Sequence, residues 1–240
     1  MSEPLSQIWV YLSASPLAAL TLTLAAYQLG FFLYRRAGFH PLVNPVLVAV
    51  LLIGAVLLVS GTAYPVYFDG AKFVHFLLGP ATVALAIPLY RQFARVRRSA
   101  LAIGVSLLAG SLTAALSALA VAWLLGASRQ TLASLAPKSA TAPVAMGIAE
   151  PLGGLPSLTA VLVILTGILG AALGPLVLDL ARIRDWRARG FAIGTAAHGI
   201  GTSRALLVNE TAGAFSGLAM GLNAIATALL VPLVWRLIFG

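Results

Sequence analysis

The sequence predicts an all-α integral membrane protein of about seven spans plus a re-entrant hairpin. Three observations predict it. Hydrophobic residues make up 60% of the 240, and charged residues only 9%, against roughly a quarter in a soluble domain. Apolar runs recur at about 20 residues, the length that crosses a hydrocarbon core. The runs are continuous, without the alternation of a barrel strand, and an open sheet would leave its edges unsatisfied in lipid. The mean hydropathy, +1.01, agrees.

The elements follow in order. The opening MSEPLSQIWVYLSAS lacks the basic region of a signal peptide. Its Trp9 and Tyr11 read as interfacial anchors. Apolar blocks then run Pro16–Tyr34, Asn44–Ser60, Phe73–Tyr90, Leu101–Gly126, Pro156–Ala181, Gly190–Leu207 and Ala214–Phe239. Thr131–Gly154 is less apolar and rich in Pro, Ser, Thr and Gly. The connectors are short, so residues 1–240 form one membrane domain.

Arginine sets the expected orientation. YRRAG at 34–38, RQFARVRR at 91–98 and ARIRDWRAR at 181–189 are placed on the cytoplasmic side. Thr131–Gly154 then makes no net crossing, and its 24 residues suit a hairpin dipping in from the outer face. Irregular backbone is tolerated at that depth only where it lines protein or a watery cavity. Seven crossings result, with the N-terminus out and the C-terminus in.

The halves 16–126 and 127–240 resemble each other. At an offset of 111, NPVLVAVLLI (Asn44–Ile53) lies against LPSLTAVLVI (Leu155–Ile164), and Gly79 and Gly110 pair with Gly190 and Gly221. The matched spans run in opposite directions. Inverted repeats with discontinuous helices meeting near the midplane are a recurring transporter plan.

Three polar constellations interrupt the apolar surroundings. In APKSATAPVAMGIAEPLGG (136–154), Pro137 and Pro143 oppose continuous helix. Ser139 and Thr141 can satisfy freed backbone or a ligand. Lys138, if buried, needs a counter-charge, an anion or a lowered pKa. Glu150 is the one acid of this block, a partner for Lys138 or a proton carrier, or else a solvated residue at the hairpin mouth. In TAAHGIGTSRAL (195–206), Gly199 and Gly201 with Thr202 and Ser203 favour a helix break. Its free N–H groups suit an anion. His198 is a hydrogen-bond donor or proton carrier. Arg204 matches a carboxylate, or else snorkels to the interface and pairs with Glu210. In FSGLAMGLNAIATALL (215–230), Ser216, Gly217, Gly221 and Ala224 form a small-residue packing face, and the amide of Asn223 must find partners. In the first half, GPATVALAIP (79–88) reads as another break with Thr82 facing it. Lys72 and His75 before it are interfacial.

Other classes are excluded. The net charge of +9 comes in short arginine clusters rather than one basic domain, which excludes nucleic acid as a partner. There is no cysteine, hence no thiolate chemistry. His40, His75 and His198 lack metal-ligand spacing. No serine elbow or dinucleotide fingerprint is present. No enzyme, metal or cofactor is expected.

Long blocks carry a resemblance. LAPKSATAPVAMGIAEPLGGLPSLTAVLVILTGILGAALGP, ARGFAIGTAAHGIGTSRAL, GAFSGLAMGLNAIATALL and FLLGPATVALAIPLYRQ resemble the LrgB/CidB family, from about Asn44 onward. The resemblance implies one of two roles in a bacterial inner membrane. One is an antiholin-like regulator of murein hydrolase activity and lysis, acting with a small LrgA/CidA-type membrane partner. The other is a secondary transporter of small monocarboxylates, as in relatives that resemble pyruvate uptake systems and the plastid glycolate/glycerate translocator. The family's blocks fall on Lys138, Ser139 and Thr141, on His198, Gly199, Gly201, Thr202 and Arg204, and on Ser216 to Asn223. The expectation is a carrier, in the bilayer and assembled as a homo-oligomer. It holds a small organic anion between two broken segments, with His198 or Glu150 taking any coupled proton.

Overall fold

The computed structural model describes residues 16–40, 43–77, 90 and 93–240. Trp9, Tyr11, Gly79, Thr82 and the expected break over 79–88 lie outside the described residues. All the regular structure among the described residues is helical. The chain divides into two compact units, 1–84 and 85–240.

The first unit holds α1 (Pro16–Arg36), α2 (Pro45–Ser60) and α3 (Tyr64–Phe76). Asn44 starts α2: its Oδ1 accepts from the N–H groups of Val46 (2.8 Å) and Leu47 (3.3 Å), and Pro45 supplies a first-turn residue with no N–H to lose. Gly61 ends α2 in the left-handed conformation, φ 66°. A hydroxyl pair, Thr23 Oγ1 to Tyr67 OH at 2.7 Å, joins α1 to α3. Helix α3 starts at Tyr64, where Pro65 fits a first turn, and overlaps the expected block Phe73–Tyr90 only at Phe73–Phe76; residues 78–89 of that block lie outside the described residues. Lys72 is exposed and paired with Asp69 at 2.8 Å.

The second unit holds α4 (Phe93–Arg98), α5 (Ala100–Leu124), α6 (Arg129–Leu135), α7 (Ala142–Ala149), a 3-10 turn at Glu150–Leu152, α8 (Pro156–Leu180), α9 (Trp186–Val208) and α10 (Glu210–Phe239). Among the described residues, α1, α5, α8 and α10 are long and apolar enough to cross a membrane.

Helix α9 is two arms, not one rod. His198 sits inside it at φ 41°, ψ −134°, outside helical geometry. A β-carbon on Gly201 would lie 2.8 Å from Ile193 Cγ2 and 3.2 Å from its carbonyl oxygen. In a straight helix those residues stand about 12 Å apart. Trp186 and Arg189 likewise share a cleft with Arg204 and Val208. The chain therefore reverses at His198, and the arms 186–197 and 199–208 pack antiparallel. Their pairing to α10 agrees. Gly190 meets Ala212 and Gly194 meets Ser216, so the first arm is parallel to α10; Leu206 meets Gly213 and Thr202 meets Ser216, so the second is antiparallel.

This corrects the reading of Gly190–Leu207 as a crossing. The segment enters and returns on one side. The arginine-bearing loop 181–185 and Asn209 lie at that end. The C-terminus lies at the other: Arg129 Nη2 donates to Phe239 O at 2.6 Å, and its guanidinium sits over the Trp235 and Phe239 rings. The chain end and the 181–189 cluster are on opposite sides, so the expected C-terminus in does not follow from arginine placed inside.

Glycine makes the close packing. Gly167, Gly170 and Gly174 line one face of α8 and receive His198, Ala197 and Ile193 of the first arm, while Leu165, Leu169, Leu173 and Leu176 are exposed on the same helix. β-carbons on Gly190 and Gly194 would run into the Ala212 and Ser216 carbonyl oxygens. Lipid tails offer no hydrophobic drive to helix pairing, so backbone approach at small residues decides it. Gly194→Ala should destabilise the protein by about 1–3 kcal/mol through overpacking. Gly54→Ala on α2, whose β-carbon meets nothing within 4 Å, should leave the midpoint unchanged or raise it. Tryptophan fluorescence during heating in detergent measures both; equal midpoints would refute the contact.

Candidate functional site: two hairpin tips

The segment 129–152 is a second hairpin, of opposite sense. Ser128 caps α6 by accepting from Thr131 N at 3.2 Å. The helix ends at Leu135, and Pro137 forces a tight tip in which Lys138 N donates to Leu135 O and Ala140 N to Pro137 O. Helix α7 restarts after Thr141 with Pro143 in its first turn. Ser134 then closes the hairpin, its hydroxyl accepting from Leu155 N at 2.8 Å. The hairpin expected over 131–154 is thus present, entering from the end where the C-terminus lies. The α9 hairpin enters from the other end.

The tips meet halfway along the long helices. Val163 of α8 packs against Ala140 and Ala145 of the first hairpin, and its carbonyl oxygen accepts from His198 Nε2 of the second at 2.8 Å. Since a carbonyl only accepts, Nε2 carries a proton there, and in the neutral ring Nδ1 is left as the acceptor. The ring gets that close because Gly167 has no side chain: a β-carbon would lie 2.6 Å from His198 Cε1.

Asn223 joins the two tips. It is fully buried, and its Nδ2 donates to Ser139 O (2.9 Å) and to Thr195 O (3.1 Å), one carbonyl from each hairpin. Its Oδ1 accepts from Ser111 Oγ of α5 at 2.6 Å. Thr202 serves the second tip. Its hydroxyl donates to His198 O at 2.7 Å and so accepts from Ser216 Oγ at 2.9 Å.

The expected site residues fall into two groups. Lys138, Ser139, His198 and Asn223 come together. Lys138 is half-buried beside Ser139, and its Nζ has only a long 3.4 Å contact to Ser139 Oγ. No carboxylate pairs with Lys138 among the described residues. Thr141 is half-buried beside them, and Gly199 is exposed at the other tip. Thr202, Gly201 and Asn223 hold the hairpins rather than offering free groups. Two candidates stand elsewhere. Arg204 lies down the returning arm in a cleft with Pro175, Leu178 and Arg189. Glu150 is exposed beyond the C-terminal end of α7. The break itself sits at His198, not at the glycines beside it. A non-glycine residue in that region is strained by ~1–3 kcal/mol and persists only where its surroundings impose it.

Sequence reasoning missed Ser111, which nothing local sets apart from Ser106, Thr113 and Ser117 on the same helix. It also missed the Gly167, Gly170 and Gly174 face, whose helical spacing was the available signal.

The acceptor ends at the tips are covered by side chains: Ser139 O and Thr195 O by Asn223, His198 O by Thr202. The donor ends differ. Helix α7 starts at the tip without a side-chain cap, and the arm 199–208 also starts there. Two positive helix ends and an ammonium converge, a setting for an anion.

Asn223→Ala strands two carbonyls and a hydroxyl, at ~1–3 kcal/mol for each unsatisfied buried group. Hydrogen exchange should quicken at 136–141 and 195–199 in that variant and stay unchanged in α1. Unchanged exchange at both tips would show that the amide does not hold them.

The LrgB-like family model matches residues 23–237. The uncharacterized protein YxaC of Bacillus subtilis is 41% identical over 213 residues, covering 89% of this chain and 92% of its own. The holin-like protein CidB of Staphylococcus epidermidis is 33% identical over 200 residues, covering 83% and 87%. The antiholin-like protein LrgB of B. subtilis is 30% identical over 226 residues, covering 94% and 98%. No solved structure matches.

Proposed function

The chain belongs to the LrgB-like family, and from that premise we propose that it is a secondary transporter of small organic monocarboxylates, of the pyruvate, glycolate and glycerate class, in a bacterial inner membrane. The observation that carries this reading is Lys138: a partly buried ammonium at a hairpin tip, without a carboxylate partner among the described residues, just ahead of the uncapped N-terminus of α7. A side chain charged in mid-bilayer is costly and marks an ion or substrate path. The carboxylate would bind Lys138 and the α7 N-terminus, with the Thr141 hydroxyl as a further donor. His198, at the tip of the other hairpin, is the candidate for a coupled proton. Glu150, exposed and remote, is the weaker candidate for coupling.

A second reading has its own support. CidB and LrgB relatives carry the names holin-like and antiholin-like, and those names favour a regulator of lysis, working with a small LrgA/CidA-type partner, over a carrier. A regulator that acts by packing alone has no use for the Lys138 charge at the tips, and on that point the two readings part.

Counterflow of labelled pyruvate and glycolate into liposomes separates them. The carrier reading expects saturable exchange, with KM raised roughly 10–100-fold in Lys138→Ala, the worth of a charged hydrogen bond. Saturable exchange indifferent to Lys138→Ala would keep the carrier and remove this site. No exchange, alone or with the small partner co-reconstituted, would favour the regulator.

A further inference from the structure

The end of the second unit where the α9 hairpin enters carries two adjoining cavities, the inner of which runs up to Thr195 below the second tip. One, of about 490 Å³, is lined by Arg98, Arg184, Asp185, Trp186, Arg187 and Thr211. It holds three guanidiniums against one carboxylate. Arg187 is committed to that carboxylate, with Nε at 3.0 and 3.1 Å from the Asp185 oxygens. This pair holds the Asp185 carboxyl below the usual carboxylate range, chiefly through the Arg187 hydrogen bonds. Asp185 also accepts from Arg187 N at 2.8 Å, capping the first arm of the hairpin. The cap therefore keeps its charge at neutral pH and is lost only as pH falls through that lowered value. Arg98 and Arg184 are exposed and leave the pocket net positive.

The second cavity, of about 460 Å³, shares Asp185 and Arg187 with the first and runs inward between α5 and the first arm of α9. Its walls include Ala102, Ile103, Ala114, Phe191, Ala192 and Phe215. An apolar cleft is a poor path for a hydrated carboxylate. It suits a hydrocarbon chain, and the basic pocket at its mouth suits an anionic head. The exposed indole of Trp186 marks the same level as an interface.

We propose that this pair of cavities binds an anionic phospholipid, its phosphate between Arg98 and Arg184 and one acyl chain in the cleft between α5 and the first arm of α9. The site is independent of the transport reading. It wedges lipid against the arm that carries His198, so occupancy bears on how that hairpin sits.

Native mass spectrometry tests this on the full chain, released from detergent after incubation with phosphatidylglycerol and phosphatidylcholine of matched chains. The wild type should retain one phosphatidylglycerol in preference to phosphatidylcholine. Arg98→Gln with Arg184→Gln should cut that preference roughly tenfold or more, as expected for two basic contacts at a membrane surface. Ala192→Phe, which fills the cleft and leaves the arginines in place, should lower retention of the lipid itself. Glycerol phosphate should not displace it. Equal retention of the two lipids, a preference unmoved by the arginine pair, or retention unmoved by Ala192→Phe would each overturn the proposal. Displacement by glycerol phosphate would reassign the site to a free phosphate ester.

Discussion

Two helical hairpins that stop halfway through a bilayer leave backbone groups where no water answers them, and the amide of Asn223 resolves much of that problem. One side chain takes a carbonyl from each tip and is itself held by Ser111. Everything near the site depends on this. The first tip presents Lys138 because Ser139 O is fixed, and the second presents His198 because Thr195 O is fixed. An unsatisfied polar group in hydrocarbon costs several kcal/mol, so the same bonds that rigidify the tips also make them tolerable.

The architecture that follows is a hairpin and a span, twice. The segments 129–152 and 156–180 form one such unit, 186–208 and 210–239 the other. They enter from opposite ends and share their contacts at Val163 and Asn223. Discontinuous segments meeting at the centre between inverted units recur in transporters because helix ends and unwound backbone can then face a cavity rather than lipid. The membrane character and the family stand on composition and similarity. The anion-binding reading stands on what the tips leave open once their carbonyls are covered.

The sequence was unequally legible. The first hairpin could be read because Pro137 and Pro143 forbid continuous helix at a fixed spacing. The spans α1, α5, α8 and α10 could be read because hydropathy reports length directly, and α2 emerges as a shorter apolar helix. The α9 hairpin could not be read as one, since two half-length apolar arms have the same length and hydropathy as a single crossing. Gly199 and Gly201 signalled a break, but not a reversal, and the reversal falls on His198, where glycine would be expected. What imposes it is tertiary: Gly167 opens a slot for the imidazole, and Val163 O and Thr202 hold its two ends. Residues that lie far apart in the chain made that choice, so no local window contained it. The reversal also decides the neighbours of Arg204, which lies back along the first arm beside Trp186 and Arg189 rather than onward.

The reversal at His198 is the claim on which the rest turns, and single-cysteine labelling in membrane vesicles tests it most directly, helped by a chain with no cysteine of its own. Arg184→Cys and Asn209→Cys flank the hairpin, and Ser128→Cys marks the opposite end. A membrane-impermeant maleimide should modify positions 184 and 209 from the same face and position 128 from the other. Modification of 184 and 209 from opposite faces would make α9 a simple crossing and would contradict the account.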